Sequence, residues 1–144
     1  MHEKRIEIRW RDLDAYGHVN NAVYSTYLEE CRDEWLEGAI GTAEDEGWDF
    51  VIARLQIDFR RELRIEDDAI SVLCTLSRIG RSSVTTREEI RVGAELAVEA
   101  AAVLVARDSE TSRSRPLLEH ERLGFERAGF EHPGFEQPGF EQSQ

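Results

Sequence analysis

Lysine is almost absent: Lys4 is the only one among eighteen basic residues, and the rest are arginines. Cysteine is scarce too. Cys31 and Cys74 are too few for a disulfide scaffold, and a chain of 144 residues can bury a core without one. They read as reduced thiols in a cytoplasmic protein. Long apolar runs are missing. The opening MHEKRIEIRW holds no signal-peptide core, and the most apolar stretch, residues 100–106, falls far short of the ~20 residues that a membrane helix needs. Neither secretion nor membrane insertion is expected. The histidines are His2, His18, His120 and His132. None is spaced with a second histidine or a cysteine as zinc requires, so no metal is expected. Positive charge is also short. Thirty Asp and Glu outweigh eighteen Lys and Arg, giving a net charge of -12, which argues against a nucleic-acid partner. Two readings of this arginine-based acidity stand side by side: adaptation to a salt-rich cytoplasm, and coding bias toward arginine.

What is present has the patterning of one domain. In residues 5–11, Ile6, Ile8 and Trp10 share one face and charges take the other, as in a half-buried strand. A polar turn follows over residues 12–21. In residues 22–37 the period changes: Val23, Tyr24, Tyr27, Leu28, Cys31 and Trp35 recur at three- and four-residue steps. That predicts an amphipathic helix, with Asn20 or Asn21 as its cap and Gly38 just past its end.

Four more strands are expected. Ala53, Leu55, Ile57 and Phe59 alternate with polar residues, as do Ile70, Val72, Cys74 and Leu76. Val84, Thr86, Glu88 and Ile90 alternate less cleanly, which suits a strand with one wet end. Residues 96–106 have the length and small residues of a helix, but Val98, Val103 and Val105 favour a strand. Gly80 and Gly93 mark hairpin turns. The class is α+β: one antiparallel sheet of about five strands wrapped around a long helix.

The C-terminal segment differs. Gly-Phe-Glu recurs every five residues, starting at Gly124, Gly129, Gly134 and Gly139. Period five fits neither helix nor strand, and Pro133 and Pro138 break both. Residues 1–122 are therefore taken as the domain and 123–144 as a low-complexity tail, so cutting after Arg122 is expected to leave the fold intact. The alternative is a tail whose phenylalanines dock on a partner.

The turn Asp12-Leu13-Asp14-Ala15-Tyr16-Gly17-His18-Val19-Asn20-Asn21 concentrates the polar chemistry. It precedes a helix, whose first N–H groups are unpaired and carry a partial positive charge. A carbonyl oxygen aimed there is polarised and, after attack, held as an oxyanion. Asp14 is placed to attack or to activate water, and Gly17 lets a ligand approach the backbone. The plainer reading makes Asp14 and Asp12 Asx-turns, His18 a structural hydrogen-bonding residue and the asparagines caps.

Asp14-Ala15-Tyr16-Gly17-His18-Val19-Asn20-Asn21, with Tyr24, Tyr27-Leu28-Glu29 and Arg32 beyond it, resembles the hotdog-fold acyl-CoA thioesterases of the 4-hydroxybenzoyl-CoA thioesterase type. The loop is also similar to that of plant-type acyl-carrier-protein thioesterases. The resemblance spans about residues 4–110. It implies Asp14 as catalytic carboxylate, an oxyanion site at the backbone N–H near Asn21, and catalytic company from His18. It also implies a homodimer or homotetramer with an acyl tunnel between subunits, so that Gly17 and Tyr24 would meet substrate. No cofactor is implied. Some relatives have histidine where this chain has Asn21, and the family's proline at the end of the second strand is replaced by Arg61-Glu62-Leu63.

Coenzyme A carries phosphates. Arg78, Arg81, Ser82 and Ser83 cluster about the Gly80 turn and supply guanidinium and hydroxyl donors for them. A solvated hairpin is the alternative, and Arg60-Arg61 is a second candidate. Acyl-CoA hydrolysis is the reading adopted. A non-catalytic acyl-thioester binding module, an acyl-carrier-protein thioesterase and a thioester hydratase stand as alternatives.

Overall fold

The computed structural model describes residues 1–129. The chain runs from β1 (His2–Glu7) through a 3-10 turn (Trp10–Asp12) into the long helix α1 (Asn21–Ile40). A short helix α2 (Ala43–Glu46) leads to β2 (Phe50–Phe59). A second 3-10 turn (Ile65–Asp67) precedes β3 (Ala69–Ile79), β4 (Ser83–Val92) and β5 (Glu95–Ala106), and α3 (Glu119–Ala128) follows. The five strands form one antiparallel sheet in the order β1-β3-β4-β5-β2. This is the α+β class expected, and residues 96–106 are strand.

The alternation in β3, β4 and β5 is what covers the helix. Ile70, Val72, Cys74 and Leu76, Val84 and Ile90, and Val98, Ala100, Ala102 and Leu104 are all buried. From α1 come Tyr24, Tyr27, Leu28, Cys31, Trp35, Leu36 and Ile40. Each large aliphatic side chain removed from water contributes ~1.5–3 kcal/mol, so this one interface carries most of the core.

Four expectations need correction. Trp10 does not share the buried face of Ile6 and Ile8: the strand ends first, and the indole is 82% exposed on the 3-10 turn. Gly38 does not end α1. Trp35, Leu36 and Ile40 continue the buried stripe, and the helix stops at Gly41, whose φ of +79° suits glycine. β4 has no wet end. Thr86 and Glu88 are fully buried because Arg32 descends from α1 onto them. Its Nε and Nη2 donate to the two Glu88 carboxylate oxygens at 2.9 and 2.8 Å, and the Thr86 hydroxyl donates to Glu88 Oε2 at 2.5 Å.

The fourth correction concerns the boundary at Arg122, which falls inside α3. Phe125 is fully buried, stacked on Trp35 with ring centroids 5.6 Å apart and edge-on to Phe50 at 5.8 Å. The period-five pattern hid this because a lone aromatic on a short helix leaves no periodicity to read. The later Gly-Phe-Glu copies lie outside the described residues, except for Gly129.

Candidate active site

The loop between β1 and α1 is closed by its own backbone. Leu13 bridges Val19, Asp14 N donates to His18 O at 2.7 Å, and Asn20 N donates to Asp12 O at 2.9 Å. Gly17 supplies the positive φ, +78°, that this tight return needs. Buried Val19 pins the loop inward, its N–H donating to Leu63 O at 2.8 Å.

Asp14 sits exposed at the rim of this loop. Its Oδ1 accepts from Tyr16 N at 2.8 Å and His18 N at 3.1 Å, which is the Asx-turn geometry. No donor among the described residues reaches Oδ2. The turn therefore orients the carboxylate through one oxygen. A few residues on, Asn20 caps α1: its side-chain oxygen accepts from Ala22 N at 3.0 Å, and its carbonyl accepts from Val23 N at 2.8 Å. Asn21 is the first helical residue, so its N–H stands at the positive end of the helix, away from both of these bonds.

His18 joins the loop by its backbone, bridging Arg64, and its imidazole Nδ1 lies 3.6 Å from Glu62 Oε2. Tyr24 stands behind the loop and is buried. Its hydroxyl accepts from Leu63 N at 2.8 Å, and its ring meets Phe59 edge-on at 5.1 Å. Burial raises its pKa despite that bond. Within one chain Tyr24 is a brace for the segment that backs the site. Cys31 is held inert, its thiol pushed up to about 12 by burial.

Two structural partners escaped the sequence. Asp12 is no Asx-turn. It is buried, and its Oδ2 accepts from the Tyr27 hydroxyl at 2.7 Å and from Arg9 N at 3.1 Å. Burial, and then the hydrogen bond to Asp12, holds the Tyr27 phenol far above its ordinary acidity range. The signal was present: a tyrosine on a core-facing stripe needs a partner for its hydroxyl. The Arg32–Glu88 pair was signalled likewise by opposite charges on two faces otherwise apolar.

The phosphate candidates lie elsewhere. Arg78, Arg81, Ser82 and Ser83 surround the β3–β4 turn, closed by Gly80 N donating to Ser83 O at 2.7 Å. β3 leaves the neighbourhood of the loop at Asp68, whose carbonyl accepts from Ile8 N, and runs 11 residues before that turn. At 3.3–3.4 Å per residue the separation along the strand is about 35 Å. One chain does not bring the two groups together. No group of three metal-ligating side chains occurs among the described residues, and no helix there is long and apolar enough to cross a membrane.

The chain matches the thioesterase-like superfamily over residues 8–124, which takes in the loop, α1, all of β2 to β5 and the start of α3. The chain belongs to that family. It is a hotdog-fold thioesterase, an enzyme that hydrolyses thioesters. The long-chain acyl-CoA thioesterase FadM of Escherichia coli is 30% identical over 121 residues, covering 80% of this chain and 89% of FadM. The chloroplastic acyl-acyl carrier protein thioesterase ATL3 of Arabidopsis thaliana is 40% identical over 71 residues. That match covers 46% of this chain but only 37% of ATL3. Among solved structures, a Thermus thermophilus thioesterase complexed with coenzyme A and Zn superposes with a TM-score of 0.80 at 31% identity. The overlap is 88% of this chain and 92% of that one.

Proposed function

We propose that this thioesterase hydrolyses acyl-CoA, with Asp14 as the reacting carboxylate. The observation that carries the reading is the Asp14 carboxylate, fixed through Oδ1 by two backbone amides in the loop that leads into α1. The thioester carbonyl oxygen sits against the helix-start N–H of Asn21, and negative charge that develops on it is stabilised there. Asp14 either takes a proton from water as that water attacks the carbonyl carbon, or attacks directly and leaves an anhydride that water then opens. In both routes the carbon–sulfur bond breaks, coenzyme A leaves as thiolate, and the acid is released. Gly17 keeps the rim open to the substrate, and His18 contributes its amide to the carboxylate. No cofactor or metal takes part, so activity is expected to survive a chelator.

A homodimer completes the site. β2 is a sheet edge, and Phe59 at its end is 52% exposed, with Ile52 also exposed. Antiparallel pairing of two β2 edges sets the Phe59 end of one copy beside the Phe50 end of the other. The Phe50 end is tied through β5 to the Ser82–Ser83 turn, since Phe50 pairs with Ala106 and Ala106 N donates to Ser82 O. The second copy's turn then lies three strand spacings, about 15 Å, from the edge. It offers Arg78, Arg81, Ser82 and Ser83 to the phosphates of a coenzyme bound at the first copy's Asp14.

The test is Asp14→Asn, assayed for thiol release from short, long and aromatic acyl-CoAs. Asn keeps the Oδ1 acceptor, so the fold should persist while kcat falls by ~10² or more. Near-normal turnover would remove Asp14 from the chemistry. Acyl-CoA binding without thiol release by the wild type would instead support the binding-module reading. The ATL3 match supports one second reading, acyl-carrier-protein thioesters as substrate, and the same screen run on an acyl-carrier-protein thioester decides it.

A further inference from the structure

Two residues other than glycine have a positive φ among the described residues, Ser112 at +59° and Asp68 at +64°. Ser112 lies in the exposed connection after β5. Asp68 closes the second 3-10 turn, where the chain enters β3, and its ψ is −63°. That pair of angles lies outside the left-handed helical well and close to the γ-turn that is rare and strained for a residue with a Cβ. The Asp68 side chain does nothing to offset the strain. It is exposed, and no hydrogen bond or ion pair reaches its carboxylate among the described residues.

The backbone groups of Asp68 account for the conformation. Its N–H donates to Ile65 O at 3.0 Å and closes the 3-10 turn, while its carbonyl accepts from Ile8 N at 2.8 Å. The β1–β3 ladder ends one residue earlier, at Glu7 and Ala69. In a continued ladder Asp68 N would donate back to Ile8 O. The positive φ sends the two groups to separate partners, and Ile8, from which the Asp14 loop departs, gains a fixed origin. The same short segment holds the far end of the loop. Leu63 O accepts from Val19 N, and His18 bridges Arg64. Asp67 stiffens what lies between. It receives both Arg61 bonds and accepts from Arg64 N at 2.9 Å, and its own N–H donates to Arg64 O at 3.0 Å. Residues 63–68 thus grip both ends of the loop, with Asp14 between the two grips.

We propose that Asp68 is a positioning residue for thioester hydrolysis, acting through its positive-φ backbone and not through its carboxylate; this rests on Asp14 as the carboxylate that reacts. Released from Asp68, Ile8 no longer fixes where the loop leaves the sheet. Asp14 then moves relative to the Asn21 N–H, while the Asx-turn within the loop stays intact. Such a displacement lowers kcat more than it weakens binding, because reacting groups need closer alignment than a bound coenzyme does. Strain persists at Asp68 because the hydrogen bonds on both sides over-determine it.

Asp68→Gly, Asp68→Ala and Asp68→Val in the full chain separate backbone from side chain. All three lose the carboxylate, and only glycine adopts these angles without strain. Asp68→Gly should keep kcat within about twofold of wild type, with Tm at or above it. Asp68→Val, assayed well below its Tm, should lose kcat about tenfold while KM for acyl-CoA stays within about twofold. Asp68→Ala should fall between them, and it carries the comparison if Asp68→Val does not fold. Amide hydrogen exchange gives a readout independent of turnover: the Ile8 N–H should lose protection in Asp68→Val and keep it in Asp68→Gly. Equal losses of kcat in Asp68→Gly and Asp68→Val would assign the effect to the carboxylate and overturn the proposal. Asp14→Asn, run beside them, keeps the two readings apart. Near-normal turnover in Asp14→Asn removes the Asp14 reading and this proposal with it. Turnover lost in Asp14→Asn but retained in Asp68→Val, with its Ile8 N–H unprotected, overturns this proposal alone.

Discussion

The Tyr27 hydroxyl donates to Asp12 Oδ2 at 2.7 Å, two turns into α1 and two residues before Asp14. This bond ties the loop that carries Asp14 to the helix that covers the sheet. The Asp12 carbonyl also receives Asn20 N, so a single residue anchors both ends of the loop.

Tyr27→Phe should therefore do two things. Removing a donor from a buried carboxylate should cost about 1–3 kcal/mol of stability. Turnover should fall as well, because the loop that presents Asp14 is loosened while the Asp14 turn itself remains. Denaturant unfolding and steady-state kinetics on one preparation check both. Unchanged stability and unchanged kcat would mean that the bond carries neither role.

The Arg32–Glu88 pair predicts a non-additive cycle. Arg32→Met strands a buried carboxylate and should destabilise by ~3–5 kcal/mol. Arg32→Met combined with Glu88→Leu removes both charges and should recover most of that loss. The check is a double-mutant cycle by urea unfolding. Additive losses in the double variant would contradict the account.

Asp67 sets an acid limb. Two hydrogen bonds from Arg61, both at 2.8 Å, lower its pKa, and the Arg64 N–H adds to them against the cost of burial. A carboxylate held below its unfolded value contributes stability above the ordinary carboxylate range and loses it as pH falls through the folded value. Asp67→Asn should thus be less stable than wild type at neutral pH, with the gap closing in acid below about pH 4. Melting curves in steps from pH 7 to pH 3 would expose a constant gap, which would be the wrong outcome.

Arg78 and Arg81 should act on binding and not on chemistry. Arg81→Ala, and Arg78→Ala with it, should raise KM for acyl-CoA about tenfold while kcat stays near wild type, the pattern of lost uniform binding. The wild-type KM should rise with salt, and the double variant should lose that dependence. A fall in kcat at constant KM would move these residues out of the phosphate role.

Much of the fold follows from local pattern. The period of two in Ile70, Val72, Cys74 and Leu76 sets which face of β3 is buried, because successive side chains on a strand point to opposite sides. The three- and four-residue spacing from Tyr24 to Trp35 does the same for α1, and Asn20 caps it through its own side chain. The Asp14 turn is local too, since its bonds reach only Tyr16 and His18. Partners distant in sequence were decided by tertiary structure alone. Arg32 and Glu88 lie 56 residues apart, and Tyr24 meets Leu63 across 39. Strand order, which makes β2 an edge and sends the Ser82–Ser83 turn far from Asp14, depends on long-range pairing that no local period encodes. Phe125 illustrates the limit. Its sequence neighbourhood reads as a repeat, yet burial against Trp35 is a property of the space left between α1 and β2, and only the folded chain defines that space.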